Sequence, residues 1–222
     1  VDAEVIDVAW DLMTSLGLTD INLLINSIGD AECRPAYVSK LRDYYSGHSA
    51  NLCQDCKGRL ERNPLRLLDC KVETCHALGN DAPKSAEHLC EACQEHWEKL
   101  LTYLDSMGLP YQIDHRLVRG LDYYTRTVFE VQPEDGGGQS TICGGGRYDG
   151  LISQLGDRDI PGIGFATGLE RLTLNLKRSE VPVPDEPSPK YLIINAGANA
   201  RVAALELSVR LRRAGVGAIL GS

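Results

Sequence analysis

An α+β fold is predicted for this chain, and three observations carry the prediction. Short apolar or alternating runs at residues 21–25, 128–131, 141–143 and 162–166 read as strands. Those in the second half follow one another across short turns, which implies an antiparallel sheet. Between the first strand and the others, residues 46–108 are rich in charge and helical periodicity and poor in strand signals. Beyond four prolines in residues 181–189 the order becomes strand–helix–strand, the opening of a parallel βαβ unit in a second domain of a different kind.

Taken in order, residues 1–16 read as a helix in which Val5, Val8, Ala9, Leu12 and Leu16 form the apolar face and Gly17 supplies a left-handed cap. Residues 21–25 are a buried strand. Asp30 opens a second helical stretch that tolerates Pro35 near its start and runs to about residue 45. Residues 53–62 are helical until Asn63-Pro64 stops them. Asn80-Asp81-Ala82-Pro83 is a loop, and Ser85 is placed to cap a long helix that ends at Gly108. Leu89, Cys93, Trp97, Leu100 and Leu104 form the apolar stripe of that helix. Gly136-Gly137-Gly138 is a hairpin-type break, and the strand at 162–166 runs into a helix beginning near Leu169. The resulting division is core at 1–45, helical insertion at 46–108, core again at 109–180, linker at 181–189 and an α/β segment at 190–222.

The 222 residues allow one large or two modest domains. A net charge of −8 argues against nucleic-acid binding driven by overall charge and leaves room only for a local basic face. Arg59, Arg62 and Arg66 are the cluster to inspect, with a solvated helix face as the alternative. No apolar run is long enough to span a bilayer. The start, Val1-Asp2-Ala3-Glu4, has neither an initiator Met nor a signal-peptide pattern, and the end follows directly on a strand-like run, so both ends are expected to be cuts in a longer protein. Eight cysteines without a secretion signal point to a reducing compartment, and to thiols or metal rather than disulfides.

Residues suited to chemistry concentrate in Leu117-Val118-Arg119-Gly120-Leu121-Asp122-Tyr123-Tyr124-Thr125-Arg126-Thr127-Val128-Phe129-Glu130. Arginine offers a fixed fork of donors for phosphate or carboxylate, and tyrosine a flat apolar ring with a polar tip. Together they suit a ligand carrying both an anion and a ring, although an amphipathic surface strand uses the same residue types.

This stretch closely resembles the histidine-specific motif of the histidyl-tRNA synthetases, a family of class II aminoacyl-tRNA synthetases. Three further stretches resemble the same family: Ile25-Asn26-Ser27-Ile28-Gly29-Asp30, Cys143-Gly144-Gly145-Gly146-Arg147-Tyr148-Asp149-Gly150-Leu151, and Gly162-Ile163-Gly164-Phe165-Ala166-Thr167-Gly168-Leu169-Glu170-Arg171-Leu172. All four follow the family's order and cover nearly the whole chain. The resemblance implies a class II synthetase-type antiparallel sheet with flanking helices. It also implies an insertion that closes over the tRNA acceptor arm and, after the linker, the start of an anticodon-binding domain. The implied activity joins histidine to ATP with magnesium and passes the histidyl group to tRNA(His), in a cytoplasmic homodimer. Two earlier motifs of the family supply the dimer interface, an ATP-binding arginine and acidic groups for the substrate amine. They are not seen here, so the chain by itself is expected to be inactive.

Residue roles follow from the same resemblance. Arg119 would stabilise the charge that builds on phosphoryl oxygens in the transition state, where a rigid guanidinium acts without solvent reorganisation. Arg171 would clamp the terminal phosphate of a bent ATP, and Gly168 and Gly146 would let the nucleotide approach the backbone. Gly144-Gly145-Gly146 lacks the Walker ending, so a bulge or turn competes with a substrate-facing role, and Arg147 would add a positive charge nearby. Tyr123, Tyr124 and Tyr148 would face the imidazole, whose neutral ring has one donor and one acceptor nitrogen that phenols can answer. Adjacent tyrosines in an extended segment point to opposite faces, so one of Tyr123 and Tyr124 is also expected in the core.

Cys53-x-x-Cys56 and Cys90-x-x-Cys93 are zinc-like pairs with Cys70 and Cys75 between them. Against a metal, Cys93 lies in an apolar stripe where a free thiol behaves as a small hydrophobe. The family as a whole does not need zinc there, so no metal ligand is assigned; Cys33 and Cys143 read as isolated packing residues. Two rival functions stay open. One is the histidine-sensing regulatory subunit of ATP phosphoribosyltransferase, a non-catalytic paralogue that resembles the chain around Gly120-Leu121-Asp122-Tyr123-Tyr124. The other is a zinc-stabilised interaction module at 46–108.

Overall fold

In a computed structural model, residues 1–120, 123–135, 141–156, 158–185 and 188–221 are described. The chain divides into two compact units, Val1–Val181 and Pro182–Ser222. The first begins with α1 (Asp2–Ser15), β1 (Ile21–Ser27) and α2 (Arg34–Gly47). Next come three helices, α3 (Gln54–Arg62), α4 (Glu73–Asn80) and α5 (Glu91–Met107), with short 3-10 turns between them. After β2 (Tyr111–Ile113), the remainder is β3 (Thr125–Pro133), β4 (Cys143–Arg147), α6 (Leu151–Leu155), β5 (Ile163–Thr167) and α7 (Leu169–Arg178). The second unit is β6 (Tyr191–Ile193), α8 (Arg201–Arg213) and β7 (Ala218–Leu220), with the two strands parallel, as the sequence order predicts. Among the described residues, no helix is long and apolar enough to cross a membrane.

One five-stranded sheet in the order β2-β1-β3-β4-β5 organises the first unit. The pairs β1–β3, β3–β4 and β4–β5 are antiparallel, while β1 and β2 run parallel. The sheet is therefore mixed at one edge rather than wholly antiparallel, because α5 carries the chain back before β2 is laid down. Period-two alternation gives the sheet two different faces. On one, Ile21, Leu23 and Ile25 of β1 and Phe129 and Val131 of β3 pack against Ala3, Ile6, Ala9 and Met13 of α1 and Trp97, Leu100 and Leu104 of α5. Each such large apolar side chain contributes roughly 1.5–3 kcal/mol on burial. The opposite face gathers Leu24, Tyr124 and Val128 with Tyr37, Leu41 and Tyr45 of α2 and with Leu52, Leu67 and Leu68.

Several expectations shift. The buried face of α1 is Ala3, Ile6, Ala9 and Met13, whereas Val8 and Leu12 are 58% and 40% exposed. Both sets have helical spacing, and only the tertiary partners select between them. Ser85 does not cap the long helix: its buried hydroxyl donates to the Ser27 carbonyl at 2.6 Å, and Cys90 stands at the N-cap of α5. Gly108 ends α5 in the left-handed conformation as expected. The helix after Asp30 begins later, at Arg34, with Cys33 at its N-cap. Residues 46–108 are mainly helical, and their side chains enter both cores together with the flanking segments. Gly144, Gly145 and Gly146 form the middle of β4 rather than a turn, paired on both sides. Gly136-Gly137-Gly138 lies outside the described residues, as do Leu121 and Asp122.

Candidate active site

The site is built on the sheet face opposite α1. Leu24 of β1 stands opposite Glu130 of β3, and Glu130 opposite Gly144 of β4. Arg119 reaches over this row. Its Nη1 pairs with Glu130 Oε1, whose other oxygen accepts from Thr141 Oγ1 at 2.7 Å and from Gln132 Nε2 at 2.8 Å. Glycine is what lets the guanidinium lie there, since a Cβ on Gly144 would sit 2.6 Å from Arg119 Nη1. The Arg119 Cζ is also 5.5 Å from the centroid of the Tyr124 ring, within cation–π range. Its Nε is buried with no hydrogen-bond partner among the described residues, which leaves that donor of the fork uncommitted to them.

Arg171 joins the same network from the first turn of α7, donating from Nη1 to the Thr141 carbonyl at 3.2 Å. The structure thus brings Arg119 and Arg171 together through Glu130 and Thr141, with Arg171 exposed and Arg119 partly buried. A cleft of about 250 Å³ opens beside Arg119 and Glu130, and its far wall includes Asp69, Lys71 and His76. Of the basic cluster, Arg66 donates to the Gly120 carbonyl at 3.1 Å and Arg59 to the Arg66 carbonyl at 3.2 Å. These two arginines anchor the loop that carries Arg119.

Tyr123, Tyr124 and Tyr148 meet as one aromatic group. Ring centroids are 4.7 Å apart for Tyr123–Tyr124, 6.1 Å for Tyr123–Tyr148 and 6.4 Å for Tyr124–Tyr148. Tyr124 is the buried member of the adjacent pair. Burial, and then the hydrogen bond with Tyr124, push the Tyr123 hydroxyl above its ordinary value, so it stays neutral near pH 7. Gly162 leaves room for the third ring, because a Cβ there would fall 2.4 Å from Tyr148 Cε2.

The loop after β1 fixes the tyrosines. The Ile28 N–H donates to the Arg126 carbonyl at 2.8 Å, and the Arg126 N–H donates to the Gly29 carbonyl at 2.7 Å. From α2, Arg34 donates to the carbonyls of Ile28, Gly29 and Tyr124. Arg126, itself at a positive φ of 52°, pairs with Asp30 Oδ2 at 3.2 Å. Burial works to raise the Asp30 carboxyl, but hydrogen bonds from Cys93, the Glu32 N–H and Arg126 outweigh it and hold it down to about 2.

Three placements differ from the sequence reading. Arg147 is not a free charge facing a ligand: it is ion-paired with Asp2 and Asp149, and Asp2 also meets His96 Nε2 at 3.0 Å and Thr127 Oγ1 at 2.8 Å. Gly146 is buried, and a Cβ on it would strike the Thr127 carbonyl at 2.5 Å and the Tyr124 ring at 2.9 Å, whereas Gly168 is an exposed N-cap of α7. Cys33 is not isolated: it converges with Asp30, Cys90 and Cys93, while Cys53, Cys56, Cys70 and Cys75 form a second group with metal-ligand spacing. Cys143 packs in the core, where burial pushes its thiol up to about 12.

Sequence reasoning passed over Glu130, Thr141, Arg34 and Asp2. The alternation of β3 puts Glu130 on the same face as Val128 and was a usable signal. No local pattern could tie Asp2 to Arg147 or Arg34 to Tyr124, because those contacts join segments far apart in the chain.

The sequence model described as histidyl-tRNA synthetase matches residues 1–172. A histidine–tRNA ligase of Dehalococcoides mccartyi (strain 195) is 53% identical over 216 residues, covering 97% of this chain and 52% of that protein. One from Desulforamulus reducens is 49% identical, again over 98% of this chain and 52% of the relative. The chain therefore spans about half the length of the curated relatives it matches. Among solved structures, apo S. aureus histidyl-tRNA synthetase superposes with a TM-score of 0.71 at 35% identity, covering 100% of this chain and 54% of that one. A Bacillus halodurans structure described as an ATP phosphoribosyltransferase regulatory subunit/histidyl-tRNA synthetase has a TM-score of 0.58 at 22% identity, which shows the fold alone.

Proposed function

This chain belongs to the histidyl-tRNA synthetase family, and from that premise we propose that it is part of a histidine–tRNA ligase. At the length of its relatives, the protein activates histidine: the carboxylate attacks the α-phosphate of ATP, pyrophosphate leaves, and the histidyl-adenylate then acylates the 3′ end of tRNA(His). Magnesium accompanies the ATP and spreads its phosphate charge. The working form is a cytoplasmic homodimer.

The observation that supports this best is the setting of Arg119. A guanidinium held by Glu130 over a side-chain-free strand, next to three tyrosines, is pre-set for a ligand with an anion beside an aromatic ring. Arg119 stabilises charge developing on the α-phosphoryl group, the kind of contact whose removal costs about 10²–10³ in rate. Arg171 and Gly168, at the start of α7, take the outer phosphates of ATP. Tyr124 and Tyr148 line the imidazole pocket with Tyr123 at its edge, and Gly146 contributes by leaving room for the Tyr124 ring. The regulatory-paralogue reading is not favoured, since the relatives at about half identity are histidine–tRNA ligases.

The test is histidine-dependent exchange of labelled pyrophosphate into ATP by the full-length protein, beside Arg119→Ala. Exchange that falls at least about a hundredfold in the variant is expected. Histidine binding without any exchange in the unaltered protein would replace the ligase with the histidine sensor.

A further inference from the structure

The strongest feature that the ligase reading leaves unused is the group of Cys53, Cys56, Cys70 and Cys75. Cys53 is the N-cap of α3 and Cys56 lies in its first turn; Cys75 lies in the first turn of α4, and Cys70 precedes that helix. The topology brings all four sulfurs within 4.8 Å of one another. Cys53 Sγ and Cys70 Sγ are 3.9 Å apart, far too long for a disulfide of about 2.05 Å. Four sulfurs about 2.3 Å from a central ion at tetrahedral angles would themselves be separated by about 3.8 Å. The Cys53–Cys70 separation matches that spacing, and the 4.8 Å limit on the remaining pairs is compatible with it.

A backbone donor points the same way: the Cys53 N–H donates to Cys75 Sγ at 3.2 Å. Apolar packing of neutral thiols calls for no such donors, whereas four thiolates around a divalent ion leave two negative charges to be compensated. Arg59 and Lys71 line the adjacent surface together with Asp55 and Asp69, and Lys71 is paired with Asp69 at 3.1 Å. The mechanical need is also visible: α3 and α4 have 9 and 8 residues, lengths at which a helix is marginal without tertiary support.

We propose that Cys53, Cys56, Cys70 and Cys75 hold one structural zinc ion, which pins the start of α3 to the start of α4. The ion has no open position for substrate and takes no part in the chemistry. Its effect reaches the site mechanically, because Asp69 and Lys71 flank Cys70, His76 follows Cys75, and all three form the far wall of the Arg119 cleft. Metal uptake releases the thiol protons and stabilises the segment by the metal's binding energy. The mixed group of Asp30, Cys33, Cys90 and Cys93 is a poorer candidate, since Arg126 already engages the Asp30 carboxylate.

The experiment is metal analysis of the chain purified without added chelator, beside Cys70→Ser and Cys90→Ser. About one zinc per chain is expected, lost in Cys70→Ser and kept in Cys90→Ser. To keep the test independent of whether Cys70→Ser folds, the unaltered chain is also alkylated with iodoacetamide before and after chelation. Protection of Cys53, Cys56, Cys70 and Cys75 that the chelator abolishes is expected, while the buried Cys33, Cys93 and Cys143 keep theirs. Cobalt reconstitution should give the visible bands of tetrahedral Co(II) with four thiolates. A chain that folds with all four thiols open to alkylation and no bound metal overturns the proposal. So does zinc that survives in Cys70→Ser and disappears in Cys90→Ser, or iron in place of zinc.

Discussion

The Arg119 guanidinium occupies the space where Gly144, if it had a side chain, would place its Cβ: the two would be 2.6 Å apart. The clash is with the far end of a flexible side chain, so the strand can tolerate a methyl group there, but Arg119 cannot keep its position. Gly144→Ala is therefore expected to leave the melting temperature nearly unchanged and to lower pyrophosphate exchange by about tenfold or more, approaching the loss in Arg119→Ala. Calorimetry beside exchange kinetics separates the two effects. A variant with full exchange would show that Arg119 works from some other position.

The neighbouring glycine should behave in the opposite way. A Cβ on Gly145 would lie 2.3 Å from the Gly164 carbonyl and 2.7 Å from Phe165 Cβ, both fixed parts of β5. Gly145→Ala has no flexible group to push aside and is expected to destabilise the first unit by about 1–3 kcal/mol, the usual cost of overpacking. Urea titration of this variant and Gly144→Ala side by side is the check, and equal midpoints would contradict it.

These two glycines mark how much the sequence reveals. The resemblance carried by the motif words assigned Arg119, Arg171 and the three tyrosines to one site; the structure gathers the three tyrosines and links the two arginines through Glu130 and Thr141. Element identities were also legible, since period-two runs became strands and the Gly108 cap ended its helix. What the sequence hid were choices made by partners distant in the chain. Two apolar stripes on α1 have equal periodicity, and only the sheet and α5 decide that Ile6 and Met13 turn inward. Three consecutive glycines look like a turn, and they form a strand because Arg119, Phe129 and Tyr124 claim the space beside them. The cysteine spacing suggested joining Cys53-x-x-Cys56 to Cys90-x-x-Cys93, whereas the fold joins the first pair to Cys70 and Cys75 and the second to Cys33 and Asp30.

Acid should act first through His96 and then through Asp2. Burial opposes its charge, but hydrogen bonds from Arg147 and Thr127 and the nearby charge of Arg147 win, so its carboxyl sits below the ordinary 3.8. His96 is also held low, chiefly by burial and by Arg126 and Arg147, against the pull of Asp2 and Asp149, and so donates to Asp2 as a neutral ring. Both groups have depressed folded values, so both contribute stability that is present above their unfolded values and lost as pH falls through the folded ones. Stability should be flat above about pH 6.5, decline below it as His96 is forced to protonate, and decline again below about pH 3.8 as Asp2 does. Arg147→Met leaves Asp2 buried without its main partner and should cost about 3–5 kcal/mol at neutral pH, with Asp2→Asn in the same chain restoring part of it. Urea midpoints across the pH range provide the measurement, and a pH-independent midpoint would remove Asp2 and His96 from the account.

Arg34 offers a test of positioning without touching a proposed substrate contact. It donates to the carbonyls of Ile28, Gly29 and Tyr124, and so connects the loop after β1 to the tyrosine group. Charge-assisted hydrogen bonds of this kind contribute about 1.5–3 kcal/mol each, and part of that holds the Tyr124 backbone in place. Arg34→Gln keeps a shorter donor but cannot span all three acceptors, so Tyr124 gains freedom that histidine must remove on binding. The expected result is a rise of about tenfold in KM for histidine, equivalent to 1.4 kcal/mol, with KM for ATP little changed because Arg119 and Arg171 hang on a separate network through Glu130 and Thr141. Equal rises in both constants would mean that Arg34 supports the whole sheet face rather than the tyrosine pocket. Arg34→Lys, which restores the charge but not the fork, should recover only a small part of the histidine affinity.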